Sequence, residues 1–206
     1  MADSSAASRS RSGLSIPQIP KWIVYAAGFI PAVWYFTLGF TDQLGADPLK
    51  VLERALGLWA LRFLVAGLTI TPLRQLFGVN LLRYRRAIGL LAFYYAALHL
   101  LTYIVLDQGL DFTAVWADIL KRPYITVGML SFSLLVPLAV TSNNAMVRRL
   151  GAHVWAKLHR LVYVAVAAAA VHFVMVVKAW PPEPLIYASF VASLLAYRMA
   201  RGLRGR

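Results

Sequence analysis

Four histidines, His99, His153, His159 and His172, are the residues of this 206-residue chain best suited to hold a metal. The chain has no cysteine, which excludes disulfides, thiolate metal sites, iron–sulfur ligation and covalent c-type haem attachment. Any metal must therefore be held by His, Met or oxygen ligands. His99, His159 and His172 lie inside or at the edge of strongly apolar segments. Ionisable groups are costly there and usually face a bundle interior, paired or functional. His153 lies near a loop and is expected to be solvated.

A single membrane histidine is as readily a neutral side chain bonded to a neighbouring helix, so relative depth is more informative than presence. A helix rises about 1.5 Å per residue, which puts His99, thirteen residues beyond Arg86, roughly 20 Å from that cationic anchor. His172, twelve residues beyond Arg160, comes out at roughly 18 Å on the same scale. The two reach nearly the same level, the arrangement that bis-imidazole ligation of a haem iron demands, one nitrogen from each side of the porphyrin. His159 precedes His172 by thirteen residues, a separation of roughly 20 Å along one helix that would stack two haems across a bilayer. Thirteen residues at about 100° each leave those two side chains about 140° apart, so a kink or tilt is required. At the depth of His159 the matching helix offers Arg85 and Arg86 and no histidine.

Arg62 stands in the middle of an apolar run, where an arginine needs an anionic partner. Haem propionates would serve, through bidentate bonding, and Glu53 is the other candidate. Arg74, Arg83, Arg85 and Arg86 act as topology anchors, and could equally hold a flavin phosphate or anionic lipid. Phe93, Tyr94, Tyr95, Tyr103, Tyr163 and Phe173 would pack on a macrocycle or serve as ordinary bundle core. Trp22, Trp59, Trp155 and Trp180 mostly suit interfacial belts.

The elements that must carry these groups follow from composition. The chain is 60% hydrophobic and 14% charged, against about 45–50% and about 25% for a soluble domain. Six apolar segments, near 22–40, 55–73, 87–106, 124–141, 158–178 and 184–200, approach the roughly 20 residues of a bilayer crossing. The expected fold is an all-α integral membrane bundle of six transmembrane helices spanning 21–200. A disordered Ser- and Arg-rich tail over 1–20 precedes it, and a basic tail over 201–206 follows. A signal peptide is the rival reading of the beginning, but the first apolar run is long and lacks a small-residue cleavage site.

Charge sets the orientation. Arg9, Arg11, Lys21, Arg74, Arg83, Arg85, Arg86, Arg148, Arg149, Lys157, Arg160, Arg198, Arg201, Arg204 and Arg206 fall on one side. Lys50, Arg54, Lys121, Arg122 and Lys178 fall on the other, with seven of the eight acids. Cationic loops stay in the cytoplasm, so both termini are expected there, in a bacterial inner membrane. The net charge of +13 is thus split between loops rather than gathered into a stripe, which excludes nucleic acid as a partner. No segment outside the apolar runs exceeds about 20 residues, and no glycine-rich nucleotide motif occurs. A folded flavin or nicotinamide domain has no room, so soluble redox chemistry is expected of partners.

Several motifs carry a family resemblance: Trp59-Ala60-Leu61-Arg62, Thr71-Pro72-Leu73-Arg74, and Arg85-Arg86-Ala87-Ile88-Gly89-Leu90 leading to His99. It continues through Leu138-Ala139-Val140-Thr141-Ser142-Asn143 and Trp155-Ala156-Lys157-Leu158-His159-Arg160-Leu161-Val162-Tyr163, with His172 beyond. From Gly57 to Trp180 the chain resembles the haem-binding membrane subunits of bacterial periplasmic methionine sulfoxide reductase systems, within the ferric-reductase-like transmembrane superfamily. The resemblance implies b-type haem and bound FMN. It implies electrons taken from the quinone pool or a cytoplasmic flavin reductase and passed to MsrP, a periplasmic molybdopterin reductase that repairs oxidised methionine. The family's motif histidines fall on His99, His159 and His172. The chain departs from the superfamily's four-histidine plan, because its third helix has one histidine where two are usual. A stand-alone ferric or quinone reductase would need an electron source of its own. A reading of a different class is a non-redox membrane scaffold or small transporter; transport would be expected to show broken helices at matching positions of two halves, and no such repeat is seen.

Overall fold

The computed structural model describes residues 19–177 and 181–204. The expected N-terminal tail lies almost wholly outside them, as do Lys178, Trp180 and the last two residues of the basic tail. The described residues form helices and turns only, as lipid requires of a chain that must satisfy every backbone N–H and C=O internally.

The helices are α1 (Lys21–Phe40), α2 (Pro48–Phe77), α3 (Arg85–Leu101), α4 (Phe112–Lys121), α5 (Pro123–Val140), α6 (Asn144–Leu150), α7 (Ala152–Leu158), α8 (Leu161–Val176) and α9 (Pro182–Arg204). Five stretches are long and apolar enough to cross a membrane: Lys21–Phe40, Pro48–Phe77, Leu82–Asp107, Pro123–Val140 and Ala152–Val176. The sixth expected segment is helical within α9, which is not one of these five. Glu183, Arg198, Arg201 and Arg204 dilute its apolar character.

The boundaries have local causes. Asp47 caps α2 by accepting from the Lys50 N–H, with Pro48 at the first helical position, where its missing N–H costs nothing. The helix therefore begins seven residues before the apolar run expected at 55. Gly78, at φ 72°, ends it in the left-handed region that glycine adopts freely. After α3 the chain widens into a π-helical turn, Thr102–Asp107, immediately beyond His99. The α4 helix was not expected, since ten residues fall well short of a crossing. Its Phe112, Trp116 and Leu120 form an exposed i, i+4, i+8 stripe, the pattern of a helix lying in a membrane interface.

Two hairpins dominate the packing: α2 against α3, and α5 against α8. One core cluster joins Leu61, Leu64, Val65 and Leu68 of α2 to Ala92, Leu135, Leu138, Ala165, Val166 and Ala170. A second holds α1 to the first hairpin through Ala32, Leu52, Leu56, Ala60 and Tyr95. The fully buried Tyr95 donates to the Gly28 carbonyl at 2.7 Å and accepts from the Ala32 N–H at 2.9 Å. Its hydroxyl is wedged into the i→i−4 ladder of α1 beside Pro31, a recognised cause of helix bending. The opposite face of α1 exposes Ile30, Val33 and Trp34, as expected of a surface solvated by lipid.

Candidate functional site

His99, late in α3, and His172, late in α8, come together in the bundle interior. Their ring centres are 6.3 Å apart and their planes 71° apart. Each ring is tied to the other helix of its own hairpin. His99 Nδ1 lies 2.8 Å from the Glu53 carbonyl oxygen of α2, and His172 Nδ1 lies 2.7 Å from the Tyr124 carbonyl oxygen of α5. A carbonyl can only accept, so both Nδ1 atoms must carry the proton. That leaves Nε2 as the free lone pair on both rings. Ligating histidines are commonly prepared in this way, the other ring N–H donating to a backbone carbonyl.

The separation allows a direct test of fit. Metal–imidazole nitrogen bonds are about 2.0–2.1 Å and a ring nitrogen sits about 1.1 Å from its ring centre, so two rings on opposite sides of one metal have centres about 6.3 Å apart. The observed spacing is the same. Donor type, tautomer and separation all suit a group bound through iron between two neutral imidazoles.

His159 is placed differently. It sits at the break between α7 and α8, where i→i−3 bonds from Arg160 N to Lys157 O and from Val162 N to His159 O tighten the chain. The single regular helix that would join His159 to His172 is therefore interrupted. Trp155 stacks on the His159 ring at 3.8 Å and donates its indole N–H to the Thr141 carbonyl. The Thr141 hydroxyl lies 2.6 Å from the Pro137 carbonyl, to which it donates, and 3.0 Å from His159 Nε2. The hydroxyl has one proton to give, so it accepts from Nε2–H. His159 thus holds the opposite tautomer to the other two, with Nδ1 as its free lone pair. Iron ligation through Nε2 would require this bond to break. No second histidine stands beside it, while Arg85 and Arg86 act on it electrostatically.

Arg62 bonds Tyr187 of α9 through Nε at 2.9 Å and lies over the Trp59 ring at 4.8 Å. It does not pair with Glu53. Among the described residues the ion pairs are Lys50–Asp47 and Arg122–Asp118 alone, at the start of α2 and the end of α4. Arg86 reaches Asn144 at 2.7 Å and Arg85 is exposed. His153 is exposed, as expected. Trp59 and Trp155 turn inward to aromatic and histidine partners rather than standing only in a belt.

Sequence reasoning missed the backbone carbonyls of Glu53 and Tyr124, and Gly57, Gly128, Thr141 and Tyr187, as parts of the site. Two signals were available: Gly57 and Gly128 are isolated glycines inside helical patterns, which often have a packing or functional reason. Their partners are backbone carbonyls, which no residue type announces.

Residues 54–180 match the family described as ferric reductase like transmembrane component, and the chain belongs to it. The match sharpens with curated relatives. The chain is 62% identical over 180 residues, covering 87% of itself and 81% of the relative, to the protein-methionine-sulfoxide reductase heme-binding subunit MsrQ of Brucella ovis, and equally so to those of Brucella canis and Brucella suis. It is a member of the MsrQ family.

Proposed function

We propose that this chain is the haem-binding, electron-transferring membrane subunit of a periplasmic methionine sulfoxide reductase system. The observation that carries the proposal is the His99–His172 pair: two interior rings, both presenting Nε2, at the 6.3 Å spacing of one shared metal. The names of the Brucella relatives support it. Bound b-type haem would supply one-electron chemistry. The chain's own residues would hold the iron through His99 and His172, and fix ring orientation through α2 and α5. Arg62, whose Nη atoms bond no acceptor among the described residues, is suited to a propionate.

The rest of the proposal concerns topology and partners. The chain crosses the inner membrane six times, α9 included, with a single haem domain over 21–200 and both termini cytoplasmic. The loop cations support that orientation. His159, Arg85 and Arg86 then lie toward the cytoplasm and contribute to a cofactor site there. The stacked Trp155–His159 pair with acid-free arginines suits the ring and phosphate of FMN better than an iron between two imidazoles. Electrons enter from the quinone pool or a cytoplasmic flavin reductase and leave to MsrP outside. The test is reoxidation: purified protein, reduced under anaerobic conditions, is mixed with an MsrP-type reductase and methionine sulfoxide. Loss of the reduced haem bands only when both are present is expected. Bands that persist with both present would refute the assignment.

A further inference from the structure

We infer that Gly57 and Gly128 are positioning residues: lacking a Cβ, they let His99 and His172 reach helix carbonyls with Nδ1–H, fixing tautomer and aim. The inference rests on the haem reading above. The device occurs twice, in the same form. In each hairpin the carbonyl that binds the histidine lies four residues before the glycine, Glu53 before Gly57 and Tyr124 before Gly128. Histidine follows carbonyl by 46 residues in one hairpin and 48 in the other.

The spacing of four has a geometric reason. A helix carbonyl points at the N–H four residues on, and Cα–Cβ bonds tilt toward the helix N-terminus. The Cβ of residue i+4 therefore projects over the side of carbonyl i from which a neighbouring ring approaches. A Cβ at Gly128 would lie 2.8 Å from His172 Nδ1 and 2.9 Å from its Cε1. At Gly57 the same distances from His99 are 3.1 and 3.2 Å. An added methyl must push each ring away from its carbonyl. Among the described residues no other helical glycine faces a histidine: a Cβ at Gly28 would meet the Leu91 side chain, one at Gly67 first meets Ile88 at 3.8 Å, and one at Gly89 meets nothing within 4 Å. Glycine is also a poor helix former, so these two positions weaken their helices locally in exchange for the approach.

The experiment compares Gly57→Ala and Gly128→Ala with Gly67→Ala and Gly89→Ala, all as full chains in detergent. Alanine favours the helix, and helical circular dichroism with monodisperse elution checks the fold. Haem affinity is expected to fall about 10–100-fold in Gly128→Ala, the usual effect of losing an outer-shell partner, and by less in Gly57→Ala. Loss of the Nδ1–H bond makes the imidazole a poorer donor to ferric iron, so the midpoint potential rises, by about 59 mV for each tenfold selective loss of ferric affinity. The low-spin ferric EPR signal, which reads the angle between the ring planes, shifts with it. Gly67→Ala and Gly89→Ala keep all three. Wild-type affinity, potential and EPR in both Gly57→Ala and Gly128→Ala would overturn the inference while leaving the haem reading intact. Should Gly128→Ala fail to fold, Gly57→Ala decides by the same criteria. A wild-type chain with no bis-imidazole haem would overturn the haem reading itself, before any glycine is changed.

Discussion

Replacing Tyr95 by phenylalanine removes a single oxygen atom from the joint between α1 and α3. That oxygen is fully buried and makes two hydrogen bonds, at 2.7 and 2.9 Å, to backbone groups of α1. Leaving a buried polar group unsatisfied costs about 1–3 kcal/mol. Two orphans would set the upper limit at about twice that range. The Gly28 carbonyl and Ala32 N–H are an i, i+4 pair, however, and can bond one another once the wedge is gone. Interhelical hydrogen bonds in membranes average about 0.6 kcal/mol and reach about 1.7. The expected loss is therefore about 1–3 kcal/mol, toward the low end if α1 straightens. A denaturing-detergent titration of helical signal measures it, with Tyr94→Phe as control, since Tyr94 is 39% exposed and its hydroxyl bonds no described residue. A Tyr95→Phe protein within about 0.5 kcal/mol of wild type would refute the idea that the hydroxyl wedge fastens α1.

Three further outcomes follow from the same structure. Thr141→Val removes the acceptor that holds His159 Nε2–H, and should lower stability by about 1 kcal/mol while leaving the visible spectrum of the His99–His172 site unchanged; loss of that spectrum would show that the iron site depends on the Thr141–His159 bond and not on the His99–His172 pair alone. The chain has no cysteine, so a spin label at Trp116→Cys reports on α4 alone: accessibility to oxygen in lipid vesicles is expected there and to aqueous relaxant at Lys121→Cys, which is exposed on the opposite side of the helix, and equal aqueous exposure would remove α4 from the membrane interface. Labelling of Asp42→Cys from the periplasm, and of Arg149→Cys only after the membrane is opened, is expected of six crossings with cytoplasmic ends; the reverse pattern would invert the topology.

The convergence of His99 and His172 could be read from the chain because it needs only a rise per residue and a cationic anchor on each helix. Arg86 and Arg160 supplied the anchors, and the two rings meet in the interior. The elements were legible for the same reason: apolar length maps onto helix where lipid is the solvent. What escaped the sequence depends on neighbours or on the backbone. The Arg62 partner, Tyr187, lies 125 residues away, and no pattern in either segment points to the other. The carbonyls of Glu53 and Tyr124 act without their side chains. The tautomer of His159 depends on where the Thr141 hydroxyl sends its proton, which required the Pro137 distance. The α4 helix is amphipathic and short, so a search for long apolar runs passes over it. The repeat that the linear sequence concealed is one of carbonyl, glycine and histidine, visible only once α2 pairs with α3 and α5 with α8.

The central claim, that one iron is shared by the imidazoles of α3 and α8, is met most directly by haem content and reduced-minus-oxidised spectra of detergent-purified wild type, His99→Ala, His172→Ala and His153→Ala. The wild type and His153→Ala should show sharp bis-imidazole bands, and each of the other two should lose them with the corresponding haem. Full haem content and an unaltered spectrum in either His99→Ala or His172→Ala would contradict the shared site.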